Sequence, residues 1–132
     1  MKVNYNILLI DDNVIDQIVT IQLLKKKLNL TEITTVNNGE EGIEWLLNYK
    51  KDIEKSLIIL LDIKMPEMDG FEFLTKFDTL SDEIKKETLI FMLSSTLDPN
   101  DIIRAQNNKY VKTLLSKPLS CKEFSSLIHL DL

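Results

Sequence analysis

Residues Leu57–Leu61 form an unbroken apolar run, Leu-Ile-Ile-Leu-Leu, which stops at Asp62 and leads into Met65-Pro66 and Met68-Asp69-Gly70. A run of this length, bounded by turn residues and with no polar residue alternating through it, predicts a strand buried on both faces. That environment belongs to a parallel sheet covered by helices. Asp62 then stands at the carboxyl end of the strand, the edge at which open α/β sheets place their ligand sites. A carboxylate there calls for a partner.

The rest of the chain repeats the pattern of strand followed by helix. Asn6–Ile10 is a short apolar strand ending in Asp11-Asp12-Asn13, and Val14, Ile18, Ile21, Leu24 and Leu28 recur at helical spacing up to a stop at Asn29. Glu32–Val36 is rich in β-branched residues and reads as a strand. Asn37-Asn38-Gly39 turns the chain into a helix whose face carries Ile43, Leu46 and Leu47. After the central strand, Phe71, Leu74 and Phe77 line a third helix, Ser81–Glu87 reads as a polar connection, and Thr88–Leu93 is a fourth strand. Asp98 can cap a helix with Pro99 at its first position, running through Ile102, Ile103 and Ala105 to Asn107-Asn108. Thr113–Leu115 is a fifth strand, and Ser120 caps a last helix bearing Phe124, Leu127 and Ile128. Five strands alternating with five helices predict an α/β, doubly wound five-stranded parallel sheet with right-handed crossovers.

The composition narrows the function. At 132 residues the chain is the size of one domain, with no internal repeat, linker or low-complexity segment. A formal charge of −5 argues against nucleic acid as the direct partner. A single cysteine, Cys121, leaves no internal disulfide and fits a reducing compartment. No run approaches the ~18 apolar residues of a membrane span, and Lys2 followed by a short apolar run lacks the pattern of a signal peptide. A cytoplasmic protein is expected.

In a parallel sheet the carboxyl ends of all strands lie along one edge, so the residues that follow them converge. They are Asp11 and Asp12, Asp62, Ser94-Ser95-Thr96, and Lys117-Pro118. Three crowded carboxylates repel, and a hard divalent cation relieves that repulsion. Mg²⁺ suits the place, because it prefers oxygen ligands and often uses one or two carboxylates plus phosphate oxygens. A carboxylate can also attack phosphorus to give an aspartyl phosphate, while a metal, an ammonium and a hydroxyl neutralise the charge on the transferred group. The constellation points to phosphoryl transfer.

With Asp11-Asp12, the stretch Asp62–Gly70, Ser94-Ser95 and Lys117-Pro118 in this order and spacing, the chain resembles the receiver domain of two-component response regulators over essentially its whole length. The likeness is to the stand-alone, chemotaxis-regulator type. It implies a flavodoxin-like (βα)5 fold of strand order 2-1-3-4-5, in a single receiver domain over 1–132 with no output domain. It also implies roles. Asp62 is the phosphoacceptor and also a metal ligand. Asp12 is the direct Mg²⁺ ligand, Asp11 holds the metal through water, and the Lys64 backbone carbonyl completes the set. Ser94 is the switch hydroxyl. Lys117 pairs with the phosphoryl oxygens, and its bond to Pro118 is cis.

The family often has Tyr or Phe three residues before this lysine as an aromatic switch. Here Leu114 holds that position and Tyr110 lies four residues further back, so either the connection before the fifth strand is lengthened or the aromatic switch is absent. The positions that set dephosphorylation rates in the family are Lys64 and Thr96. Neither offers a carboxylate or amide to orient water, so slow self-hydrolysis is expected. The resemblance further implies a histidine kinase or histidine-phosphotransfer protein as donor. Readout would use the fourth helix, fifth strand and last helix, through binding to a downstream protein or onward relay, with no direct contact to nucleic acid or membrane. The protein would be a monomer or a phosphorylation-dependent dimer, with Lys109, Tyr110 and Lys112 as candidate contacts, and would catalyse only its own phosphorylation and dephosphorylation.

Two rival readings are a small Mg²⁺-dependent aspartyl-phosphate phosphohydrolase and a degenerate receiver that binds partners without phosphorylation. The first wants an acid/base carboxylate two residues after its nucleophile, where Lys64 stands; the second leaves the full acidic set and Lys117 without a purpose. Trp45, Phe71 and Phe77 read as packing residues, and Glu67 and Asp69 as parts of the turn that Gly70 permits. His129 reads as a surface residue. Cys121 sits at a helix start, a location that can lower a thiol pKa.

Overall fold

The apolar run becomes the middle of the sheet. In the computed structural model, which describes residues 4–50, 54–86 and 88–128, it lies within strand β3 (Lys55–Asp62). The other strands are β1 (Asn4–Ile10), β2 (Ile33–Val36), β4 (Leu89–Ser94) and β5 (Val111–Ser116). All are parallel, in the order β2-β1-β3-β4-β5. The helices are α1 (Val14–Leu28), α2 (Gly39–Leu47), α3 (Gly70–Asp78), α4 (Asp82–Lys85), α5 (Pro99–Gln106) and α6 (Cys121–Leu127). The flavodoxin-like expectation of sheet order is met.

Two cores flank the sheet. Leu57, Ile59 and Leu61 of β3 join Leu8, Ile10, Leu46, Phe73, Phe77 and Met92 on one face. Ile58 and Leu60 join Leu9, Leu24, Phe91 and Phe124 on the other. Burying a Leu or Ile side chain contributes roughly 1.5–3 kcal/mol, so a strand with a core on each side is the anchor of the sheet. Phe71 and Phe77 are buried and Trp45 is partly so, as packing residues should be.

The structure corrects several details. There are six helices among the described residues, because α4 forms inside the segment read as a polar connection. It is a single short turn capped by Ser81, whose hydroxyl accepts from the Ile84 N–H at 3.4 Å, and its one apolar residue, Ile84, only partly buried against the core, leaves no apolar period to detect. In α1 the buried face is Thr20, Leu24 and Leu28. Val14 and Ile18, read as part of the packed stripe, are 62% and 54% exposed. This helix carries apolar residues on more than one face, and spacing alone does not tell which face meets the sheet. Leu47, also assigned to a packed face, is exposed while Leu46 beside it is buried, and in α5 Ile103 is exposed while Ala105 is buried. β5 starts earlier than expected, at Val111. Its pairing with β4 slips between Ile90 and Phe91, which face Val111 and Thr113, so that Lys112 is the extra residue of a bulge.

Candidate functional site

Each strand end delivers its residue to the same edge. Asp11 follows β1 and is 0% exposed; its Oδ1 accepts from the Asn13 N–H at 2.9 Å, which bends the chain into α1. Asn13 caps that helix by accepting from the Asp16 N–H at 3.0 Å. Gln17, one turn on, donates to the Asp11 carbonyl at 2.6 Å and to Asn37 Oδ1 at 2.9 Å, tying the first helical turn to the loop after β2. Asp12 is exposed.

Asp62 is the last residue of β3 and is buried. The loop after it closes against the site: the Gly70 N–H donates to the Ile63 carbonyl at 2.8 Å. A Cβ on Gly70 would lie 2.8 Å from the Asp62 carbonyl oxygen, so this close approach requires glycine. A capping box between Asp69 and Glu72 then starts α3, which accounts for the turn roles expected of Asp69 and Gly70. Glu67 adopts a left-handed φ of 69° in the same turn.

Ser94 ends β4, buried, with its hydroxyl accepting from the N–H groups of Thr96 at 3.2 Å and Leu97 at 3.1 Å. Its carbonyl accepts from the Lys117 N–H at 2.9 Å, which fixes the end of β5 beside β4. The Lys117–Pro118 peptide bond is cis.

Lys117 is the hub. Its Nζ lies 2.9 Å from Asp11 Oδ2, 2.9 Å from Asp16 Oδ2 and 3.3 Å from Asp62 Oδ2. Carboxylate oxygens of Asp11, Asp12 and Asp62 all fall within 4.8 Å of one another. When all are ionised, four carboxylates around one ammonium leave the edge with three excess negative charges. Burial pushes the Asp62 pKa up to about 6, helped by the charges of Asp11 and Asp12 and opposed by Lys117. Burial disfavours the Lys117 ammonium, but hydrogen bonds to Asp11 and Asp16 and the charge of Asp62 outweigh it, so its pKa stands above the ordinary lysine value. An oxygen-only cluster with two of its three carboxylates buried, uncompensated charge and a carboxyl reluctant to ionise is an environment that a hard, oxygen-seeking divalent cation fits.

Of the residues singled out in the sequence, Asp11, Asp12, Asp62 and Lys117 come together, with Ser94 at the neighbouring strand end. Lys64 and Thr96 are exposed on the loops around the site. Leu114 pairs with Met92 and packs on the core containing Phe77 and Leu61. Tyr110 is not at this edge: it precedes β5, at the opposite end of a strand spanning roughly 20 Å. There its ring meets Phe77 edge-on at 5.1 Å and its hydroxyl bonds the Asp78 carboxylate. Lys109 joins the same carboxylate at 3.7 Å, so two of the candidate dimer contacts are engaged within the chain. The bulge at Lys112 lengthens β5 without bringing Tyr110 to the site. Cys121 is half-buried with Sγ 3.7 Å from the Leu23 carbonyl. Burial raises its pKa, contrary to the lowering that a helix start can cause. His129 lies outside the described residues.

Asp16 was not anticipated. In the sequence it is one acidic residue in a first helical turn, where it favours the helix dipole. Only folding brings it to a lysine 101 positions away.

A sequence profile described as "Response regulator receiver domain" matches residues 7–129. A two-component response regulator of Arabidopsis thaliana, ARR17, is 28% identical over 134 residues, spanning 96% of this chain and 84% of that protein. The crystal structure of a response regulator receiver protein from Dyadobacter fermentans superposes with a TM-score of 0.86 at 32% identity, covering 94% of each chain. That of a two-component response regulator from Cytophaga hutchinsonii also gives 0.86, at 27% identity over 97% of this chain and 96% of the other.

Proposed function

The chain belongs to the response regulator receiver domain family, and from that premise we propose that it accepts a phosphoryl group on Asp62 from a phosphohistidine of a histidine kinase or histidine-phosphotransfer protein. The observation that carries the reading is the Asp62 carboxylate, 3.3 Å from the Lys117 ammonium and within 4.8 Å of Asp11 and Asp12 at the open edge of the sheet. An Asp62 oxygen forms the bond to phosphorus as the bond from phosphorus to the donor's imidazole nitrogen breaks, and the electron pair leaves with that nitrogen. Asp11, Asp12, Asp62 and the Lys64 carbonyl would hold Mg²⁺, which when bound neutralises charge on the phosphoryl oxygens.

The protein's own residues do the rest. Lys117 transfers part of its hydrogen bonding from carboxylates to a phosphoryl oxygen. Ser94 releases the N–H groups of Thr96 and Leu97 and turns its hydroxyl to the new group. That release alters the loop leading into α5 and, with it, the surface of α5, β5 and α6. The output is phosphorylation-dependent binding of another protein, a second copy included, or onward relay. We place the protein in the cytoplasm and expect it to catalyse only its own phosphorylation and dephosphorylation. A phosphohydrolase reading lacks its second carboxylate, since Lys64 holds that position.

Incubation with acetyl phosphate and Mg²⁺ should add the mass of one phosphoryl group to the wild type and none to Asp62→Asn. No gain in the wild type would favour a phosphorylation-independent binding module, and turnover of many organic phosphates would favour the hydrolase.

A further inference from the structure

We infer that Asp16 is a positioning residue: it holds the Lys117 ammonium on the α1 side of the site and must give it up when a phosphoryl group arrives. The inference rests on the receiver function proposed above and concerns the regulation of that same site.

An ammonium has three N–H donors, and Lys117 faces three carboxylates: Asp11 and Asp16, each at 2.9 Å, and Asp62 at 3.3 Å. Two of these N–H groups donate to Asp11 and Asp16 while the ammonium also pairs with Asp62, so drawing it fully onto a phosphoryl group means loosening one of the carboxylates. Asp62 carries the phosphoryl group and stays. Asp11 is fully buried within the acidic cluster, where losing a partner leaves a charge without water. Asp16 alone has a side chain 38% exposed, so water can take over the vacated oxygen. It also lies outside the cluster of Asp11, Asp12 and Asp62, and among the described residues it has no other ion pair. Its backbone is fixed by the Asn13 cap, so the carboxylate cannot follow the lysine inward without unwinding the first turn of α1.

Asp16 therefore stabilises the unphosphorylated arrangement in which Lys117 leans toward α1, and weakens capture of a phosphoryl-like anion. Asp16→Asn keeps the shape and removes the charge. It should tighten binding of beryllofluoride, a phosphoryl mimic, at saturating Mg²⁺ by about threefold to tenfold, the range of one partly exposed charge-assisted hydrogen bond. Asp16→Glu, which keeps the charge, should return the affinity toward that of the wild type.

The experiment is a calorimetric beryllofluoride titration of the full chain as wild type, Asp16→Asn, Asp16→Glu, Lys117→Ala and the Asp16→Asn/Lys117→Ala double variant, with an Asp62→Asn control. Tighter binding in Asp16→Asn that disappears in the Lys117→Ala background supports the inference, because the effect then acts through the lysine. Unchanged or weaker binding in Asp16→Asn, beside a wild type that binds normally, overturns it and leaves the receiver reading intact. A gain that survives in the Lys117→Ala background also overturns it, since Asp16 would then act as a general negative charge. A wild type that fails to bind overturns both.

Discussion

The acidic edge should be a source of instability until a cation arrives, and Asp62→Asn measures how large that source is. The Asp62 carboxyl has its pKa pushed from 3.8 in an unperturbed side chain up to about 6 in the fold, chiefly by burial and then by Asp11 and Asp12 against the opposing pull of Lys117. The folded state thus holds this proton more tightly than the unfolded chain. The stability that protonation provides is complete below pH ~4 and lost as pH rises through ~6. With one pKa unit worth about 1.36 kcal/mol, the loss by pH 7.5 is about 3 kcal/mol.

An asparagine of the same shape never ionises and avoids the loss, and Lys117 keeps Asp11 and Asp16 as partners in that variant. In chelator at pH 7.5, Asp62→Asn should therefore be the more stable protein by up to about 3 kcal/mol. Unfolding entropy of ~2.1 cal/mol/K per residue makes that a rise of about 10 °C in Tm for a chain of 132 residues. The difference should close as pH falls toward 4. It should also narrow on adding Mg²⁺, which at a hundred times its Kd stabilises the wild type by ~2.7 kcal/mol. Urea and thermal unfolding across pH, with and without Mg²⁺, provide the measurement. A variant no more stable than the wild type in chelator at pH 7.5, or a gap that ignores pH, would refute the reasoning.

Three further outcomes are expected. Gly70→Ala should lower stability by about 1–3 kcal/mol, because its Cβ would meet the Asp62 carbonyl oxygen at 2.8 Å and the Met92 side chain at 2.8 Å; urea unfolding reads the stability, and slower acetyl phosphate labelling would report the displaced Asp62. Decay of the phosphorylated protein, followed by intact mass after removing the donor, should take minutes or longer, since exposed Lys64 and Thr96 offer no group to orient water; decay within seconds would contradict this. Tyr110→Phe should leave phosphorylation rate and lifetime unchanged, because the hydroxyl it removes bonds Asp78 at the far end of β5; a changed lifetime would show that Tyr110 communicates with the site.

Most of the site was legible because a parallel sheet converts sequence order into spatial convergence. Once Leu57–Leu61 was read as a doubly buried strand, the residues after the other strands had to share its edge. Asp11, Asp12, Ser94 and Lys117 followed without knowledge of any contact. What stayed hidden falls into two physical kinds. Some features have no periodic signature. α4 is too short to show one, and the bulge at Lys112 is a property of the pairing between β4 and β5 rather than of β5 alone. Others depend on which of several equivalent choices the packing makes. α1 offers apolar residues on two faces, and the sheet took Leu24 and Leu28 while leaving Val14 and Ile18 in solvent. Asp16 belongs to this second kind, since its partner is set by the rotation of α1 on the sheet.

The same choice bears on how a signal leaves the site. Where an aromatic ring is expected three residues before Lys117, Leu114 packs on the core face it shares with Met92 and Leu61. A leucine there has no ring to swing between solvent and core, and Tyr110 is tethered at the wrong end of the strand. The connections that remain are backbone ones. The Ser94 hydroxyl holds the N–H groups of Thr96 and Leu97, and the Ser94 carbonyl holds the Lys117 N–H. Leu97, with a left-handed φ of 51°, adopts a conformation costly for a branched side chain and stays there under the hold of that hydroxyl. On the proposed function, turning the hydroxyl toward a phosphoryl group would remove the restraint and let the loop relax immediately before Asp98 caps α5. On the receiver reading proposed above, the first element to feel phosphorylation would therefore be the entry to α5.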